Sequence, residues 1–184
     1  VESAIPTYAY ENDVAITSME LAPRAPKANG DCIDEILAAD LLVIGPGSLY
    51  TSLIPNLLVP EVARALNESR APLVYVANIM EQRGETEGMG LTDHLEAMRA
   101  HGLKRPVRSI IVNDGQMDEA LLERYALEEG VRPIYLRDEE KVQLQARGID
   151  LETGAFMAEK DGLIRHDGLS VAQRLLSLCD RYRE

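Results

Sequence analysis

A run of four apolar residues that ends at a pair of glycines constrains this chain more than any other stretch. Leu41-Leu42-Val43-Ile44 shows no polar alternation, which is how a strand buried on both faces of a parallel sheet reads. It stops at Gly45-Pro46-Gly47-Ser48, where glycine permits positive φ and lets backbone amides approach a bound group closely. Hydroxyls follow at Ser48, Tyr50, Thr51 and Ser52, and Asn56 lies just beyond Pro55. A glycine turn with clustered donors at the carboxyl end of a buried strand is where open α/β sheets bind phosphorylated ligands. The competing reading is a tight strand-to-helix turn chosen for geometry alone, and the hydroxyl cluster tilts the balance toward a ligand. The turn matches neither the dinucleotide fingerprint G-x-G-x-x-G nor the phosphate loop G-x-x-x-x-G-K-[ST].

Around this turn, strand and helix alternate. A short strand is expected at Asp13 to Glu20, followed by a linker through Pro23 and Pro26. Asn29 or Asp31 can cap a helix burying Ile33, Ile36 and Leu37. After the turn, Pro60 suits a first helical position for Glu61 to Ser69, with Val62 and Leu66 inward. Leu73 to Ala77 reads as the next strand. Thr92 caps a helix carrying Leu95 and Met98, and Ser109 to Val112 is again a strand. Met117 to Glu129 reads as a helix, Val131 to Leu136 as a strand held to an edge or bulge by Pro133, and Lys141 to Ala146 as a short helix. A strand at Ala155 to Ala158 and a helix capped by Asp167, burying Val171, Leu175, Leu176 and Leu178, complete the chain. This alternation from Ile33 to Leu136 is the pattern of a mostly parallel sheet flanked by helices, an α/β fold in one domain over residues 1–184.

Chemistry-bearing residues concentrate after the strands. Asn78-Ile-Met-Glu-Gln-Arg-Gly-Glu-Thr86 also follows a strand's carboxyl end, so both loops should open on one edge of the sheet. Asn78 and Gln82 offer amides for a base or sugar edge, and Glu85 can accept from hydroxyls; a solvated acidic loop is the alternative. Asp93-His94 could do acid–base work, but Asp in a first helical turn and a lone His are more simply structural. Arg165 provides planar, permanently charged recognition of phosphate, or else a salt bridge. No nucleophile–base–orienter set and no metal-ligand spacing can be assembled from three histidines and two distant cysteines, so no catalytic residue and no metal is expected.

A net charge of −12, from 19 Lys and Arg against 31 Asp and Glu, argues against binding nucleic acid or an anionic membrane through a general basic surface. An anionic ligand then needs locally supplied amides or an arginine. Cys32 and Cys179 match no metal or redox motif and read as reduced thiols, and no apolar run reaches the ~20 residues of a spanning helix. The expectation is a cytoplasmic protein without membrane insertion, with a homo-oligomer left open.

The residues from Asp40 to Val59, then Val76-Ala-Asn-Ile-Met-Glu-Gln-Arg-Gly-Glu-Thr86 and Thr92-Asp-His94, strongly resemble the gluconeogenesis factor family (YvcK-like). This is a bacterial branch of the superfamily that includes the 2-phospho-L-lactate transferases (CofD-like). Glu2-Ser3 with Ile5 resembles that family's Gly-Glu-Ser segment, with Val1 in place of its glycine, and Arg165-His166-Asp167 resembles its C-terminal Arg-His-Asp. The resemblance implies a Rossmann-like fold binding a nucleotide-sugar, UDP-N-acetylglucosamine, with a role in carbon flux, cell-wall precursor supply and cell shape. It implies a ligand cleft lined by Gly45, Pro46, Gly47, Ser48, Thr51, Ser52 and Asn56 from the first loop. Asn78, Gln82, Gly84, Glu85 and Thr86 would come from the second, with Arg165 on phosphates or sugar. Glu81 and Arg83 depart from the family's usual Thr and Pro. The family's opening strand and Gly-Gly-Gly-Thr-Gly loop have no counterpart in these residues, so the chain reads as the C-terminal part of a larger domain, and binding by this part on its own is expected to be weak or lost.

Two functions follow from the resemblance. The first is a regulatory protein that senses a nucleotide-sugar, without chemistry and without a cofactor. The second is a phospholactyl-type transferase, which would require a deazaflavin acceptor and Mg²⁺. The relatives of the second kind carry Ser-Asn-Pro where this chain has Gly45-Pro46-Gly47-Ser48.

Overall fold

A computed structural model describes residues 4–183, so the Glu2-Ser3 resemblance lies outside the described residues. Four strands, β1 (Leu42–Ile44), β2 (Leu73–Val76), β3 (Ser109–Asn113) and β4 (Asp150–Gly154), form one parallel sheet in the order β1-β2-β3-β4. Leu42 lies opposite Leu73, Val74 opposite Ser109, and Ile110 opposite Leu151. Around the sheet run α1 (Ala4–Glu11), α2 (Gly30–Ala38), α3 (Ile54–Leu57), α4 (Pro60–Glu68), α5 (Leu91–Ala100), α6 (Glu119–Glu128), α7 (Asp138–Ala146) and α8 (Gly168–Arg183). A hairpin of β5 (Met157–Lys160) and β6 (Leu163–His166) precedes α8.

The period of two along a strand sorts the core into layers. Leu73, Tyr75, Ile110 and Val112 point into the larger core with Leu66 of α4, Leu95 and Met98 of α5 and Leu144 of α7. Val74, Val76 and Ile111 point the other way, onto Phe156 and onto Val171 and Leu178 of α8. Parallel crossovers that advance in one direction set their helices on one face, which leaves the opposite face to α8. A third cluster, Ile79, Leu121, Tyr125, Val131 and Ile164, lies where α6 and the hairpin meet the loop after β2.

Several expectations are corrected. β1 is not buried on both faces: among the described residues it pairs with β2 alone, and Val43 is 42% exposed. Residues 13–20 form no strand; Ile16 and Met19 pack on the core, and the Met19 N–H donates to His101 Nε2 at 3.1 Å. Residues 131–136 shrink to one antiparallel bridge between Met80 and Pro133, because proline has no N–H to extend a ladder. Two hydrogen bonds flank the bridge, from Ile134 N–H to Ile79 O and from Glu81 N–H to Arg132 O, each 2.8 Å. Leu37 of α2 and Leu176 of α8 are exposed rather than inward. Thr92 does not cap α5, which starts after Gly90: Asp93 accepts the Gly90 N–H at 2.8 Å, and Glu140 of α7 accepts the Thr92 N–H at 3.0 Å. α1, β4 and β6 come as additions, α7 starts earlier at Asp138, and the expected strand at 155–158 shifts to β5.

Candidate functional site

Because the strands are parallel, the loops after β1 and β2 leave the same edge. The first begins with Gly45 at φ +90°, where a Cβ would come within 2.6 Å of the Val76 carbonyl oxygen, so only glycine lets β1 turn this close to β2. The Gly45–Pro46 peptide is cis. Leu49–Leu53 then forms a π-helical turn leading into α3, with Leu49 and Tyr50 buried. In the second loop, Gln82 N–H donates to Thr86 Oγ1 at 2.8 Å, and Gln82 Nε2 donates across to Ser48 Oγ at 2.6 Å.

A cavity of about 480 Å³ opens between the two loops. Pro46, Gly47 and Ser48 line one wall and Asn78 and Gln82 another, while Arg165 enters from β6. These six of the thirteen expected binding residues are brought together. Arg165 makes no ion pair among the described residues, which leaves its guanidinium available to a ligand. Asn78 Oδ1 and Gln82 Oε1 are buried and accept no hydrogen bond. A buried acceptor left in that state costs about 1–3 kcal/mol, which a ligand N–H or O–H reached by a side-chain turn would recover.

The other seven sit behind the wall, on the scaffold. Glu85 is buried and accepts the Tyr50 N–H at 3.1 Å and the Thr51 hydroxyl at 2.7 Å, tying the second loop to the first. Thr86 is fully buried. Gly84, at φ +74°, packs so tightly on α1 that a Cβ would overlap the Pro6 carbonyl. Asn56 Nδ2 donates to the Ser52 carbonyl at 2.7 Å, within the turn into α3. Gly45, Thr51 and Ser52 likewise shape the first loop without lining the cavity.

The structure also adds residues to the wall. His166 and Ile164 come from β6, Tyr125 and Glu129 from the end of α6, and Met80 from the second loop. His166 Nε2 donates to the Ala77 carbonyl at 3.0 Å, and burial pulls its pKa below the ordinary histidine value against that smaller opposing bond. Tyr125 and Glu129 carried no chemical signal, because their helical spacing reads only as core and surface. Glu81 accepts the N–H groups of Gly88 at 2.9 Å and Arg132 at 3.0 Å, and the Arg83 guanidinium lies 3.6 Å above the Tyr10 ring. Both departures in the second loop therefore make contacts of their own with neighbouring segments.

Behind the wall, His94 of α5 is fully buried and its Nδ1 shares a hydrogen bond of 2.8 Å with the Tyr75 hydroxyl. Burial takes its pKa down to about 4, despite the opposing pull of Asp93 and Glu140, so it is neutral at physiological pH. Burial also drives the Tyr75 phenol well up, against a smaller opposing hydrogen bond from the Asn78 backbone. The pair props the strand end that carries Asn78. Among the described residues no group of three or more His, Cys, Asp or Glu side chains is placed to hold a metal ion.

Comparison with known proteins agrees with this architecture. The sequence model of "2-phospho-L-lactate transferase CofD" matches residues 1–157. The gluconeogenesis factor of Halalkalibacterium halodurans is 38% identical over 156 residues, 85% of this chain and 47% of that protein. The gluconeogenesis factor of Bacillus subtilis is 36% identical over 177 residues, 96% of this chain and 53% of that protein. The crystal structure of a UPF0052 family member from Bacillus halodurans superposes with a TM-score of 0.85 at 35% identity, covering 95% of this chain and 54% of that one. The chain thus spans about half the length of these relatives.

Proposed function

We propose, from the premise that this chain belongs to the CofD family in its gluconeogenesis factor branch, that its cavity binds a nucleotide-sugar of the UDP-N-acetylglucosamine kind. The protein would act as a cytoplasmic regulator of carbon flux, cell-wall precursor supply and cell shape. One observation carries this reading: three distant segments, Pro46–Ser48, Asn78–Gln82 and Arg165, converge on one cavity of about 480 Å³. That volume is in the range of small-molecule sites. The parts suit the ligand's chemistry. A guanidinium without an ion-pair partner complements a diphosphate, and two amide oxygens without donors complement the N–H and O–H groups of a base and a sugar.

Titration calorimetry of UDP-N-acetylglucosamine into the full-length protein tests the reading. Saturable heat that Arg165→Gln weakens by roughly tenfold or more is expected, as for loss of one charge-assisted contact. No heat at millimolar ligand would remove the proposal.

A second reading, transfer of a phospholactyl-type group to a deazaflavin with Mg²⁺, is favoured by the description of the matching family model. It is decided separately, by whether product forms from a deazaflavin and a lactyl-diphosphonucleoside.

A further inference from the structure

The opposite edge of the sheet carries a second concentration of charge. There, β2, β3 and β4 begin and α4, α5 and α7 end. Two adjoining cavities, of about 310 and 420 Å³, share Arg105, Pro106, Val107 and Arg147 in their walls. Together they gather Arg70, Arg99, Lys104, Arg105, Arg108 and Arg147. These are six of the nineteen Lys and Arg residues of a chain whose net charge is −12. Glu96 is the one carboxylate in the walls.

The simplest account is that these cations serve the fold, and part of them do. Arg147 pairs with Glu96 at 2.7 Å and Arg108 with Asp150 at 3.2 Å. Arg105 donates to the carbonyl oxygens of Leu66 and Ala71, which holds the end of α4. The C-termini of α4, α5 and α7, and that of α8, whose Tyr182 lines one cavity, contribute about half a negative charge each. Set against six cations, two paired carboxylates and about two charges from the helix ends leave an excess of roughly two positive charges. Among the described residues, Arg70, Arg99 and Lys104 make no ion pair, and all three side chains lie at the surface. Structural need accounts for about half the cluster. The rest forms a locally positive cleft on an acidic molecule, where field lines focus on an incoming anion.

We propose that this cleft is a second ligand site, on the opposite sheet edge from the nucleotide-sugar cavity, and that it takes a small organic phosphate. Its cavity volumes are those of small-molecule sites rather than of a macromolecular groove. Leu95, Leu103, Val107 and Ile149 add apolar surface beside the charges, suited to the carbon part of such a ligand. Phosphate oxygens would be met by Arg99 in the last turn of α5 and Lys104 just after it, beside Arg105 and Arg147, which their own partners hold in the wall between the two cavities. The two sites share a sheet but no residue, so either can exist without the other.

The test is calorimetric titration of inorganic pyrophosphate into the protein, into R165Q, which removes the guanidinium of the first cavity, and into R165Q carrying either R99E/K104E or the milder R99Q/K104Q. Saturable binding is expected in the parent and in R165Q. On the R165Q background, a loss of roughly tenfold or more is expected from R99Q/K104Q and of all detectable heat from R99E/K104E, with a steep fall in affinity as salt rises from about 50 to about 200 mM. Circular dichroism confirms that each variant is folded. No saturation up to about 10 mM pyrophosphate overturns the proposal. So does affinity unchanged within about twofold in the folded R99Q/K104Q/R165Q variant, and so does binding lost in R165Q, which would place the anion in the first cavity.

Discussion

Replacing Glu85 tests how the first cavity is built. Glu85 is 7% exposed, and its carboxylate holds two donors from the other loop, the Tyr50 N–H at 3.1 Å and the Thr51 hydroxyl at 2.7 Å. Hydrogen bonds to a charged acceptor contribute about 1.5–3 kcal/mol each, and a buried donor left without one costs about 1–3 kcal/mol. In Glu85→Ala the Tyr50 N–H bears that cost in full, because Tyr50 is itself buried. The Thr51 hydroxyl is only half-buried and can turn to water. Relief of a desolvated charge offsets part of the loss, so a net destabilisation of about 2–3 kcal/mol is expected. Glu85→Gln should lose about 1–2 kcal/mol, since the amide retains one acceptor and the threonine hydroxyl can reverse its direction. Urea denaturation reads both values from the midpoint at constant slope. A double-mutant cycle with Thr51→Val isolates the cross-loop tie and should give a coupling of about 0.5–1.5 kcal/mol. If Glu85→Ala loses less than about 0.5 kcal/mol, or the coupling vanishes, the two loops are not held together by this carboxylate.

Three further outcomes follow from single contacts. Gly84→Ala must displace the Pro6 carbonyl as well as hold a positive φ, whereas Gly88→Ala has a similar φ of +73° and open space; thermal melts should show the first to be the worse by at least about 1 kcal/mol. Burial pushes the Glu152 carboxyl up, but Arg181 and Arg174, at 2.7 and 2.6 Å, outweigh it and hold its pKa below the ordinary value. Its contribution is therefore complete above about pH 4.5 and fades as pH falls through the lowered value. Glu152→Gln should cost about 1–3 kcal/mol at pH 7, with the gap to the parent narrowing in urea melts below pH 4.5. His94 has the same pH direction for a different reason: a neutral buried imidazole with a pKa near 4 loses ground to an unfolded chain that takes up its proton from about pH 6.5 downward. Between pH 6.5 and 4 the parent should lose about 3 kcal/mol more than His94→Gln, and equal slopes would show that His94 does not stay neutral in the fold.

What the sequence displays clearly is what the backbone and the core impose together. Leu73 to Val76 and Ile110 to Val112 are buried throughout, so their residues are apolar without alternation and read as strands. β4 breaks that rule. Asp150-Leu-Glu-Thr-Gly154 pairs with β3 alone and turns Glu152 inward, where arginines of α8 from more than twenty residues away meet it. No local pattern can show a strand whose buried charge is neutralised from the far end of the chain. Residues 131–136 fail in the opposite sense. Their apolar content reads as a strand, and Pro133 reduces them to one bridge.

The candidate site divides along the same line. Glycines and hydroxyls after a buried strand announce a loop that opens on a cavity, and Pro46, Gly47 and Ser48 line it. Nothing in the order of residues separates the side chains that face a cavity from those that brace its wall. Gln82 and Glu85 are three positions apart in one loop; one lines the cavity and the other turns back to hold Tyr50 and Thr51. The charge pattern carries the same ambiguity on a larger scale. A total of −12 gives no hint that six cations meet at one sheet edge, because Arg70, Arg99, Lys104, Arg105, Arg108 and Arg147 belong to three crossovers. Parallel strands make that meeting unavoidable. Each crossover returns the chain to the edge where its next strand starts, so residues placed just before successive strands become neighbours however far apart they lie in sequence. A parallel sheet therefore offers two sites by construction, one fed by the residues that follow its strands and one by the residues that precede them.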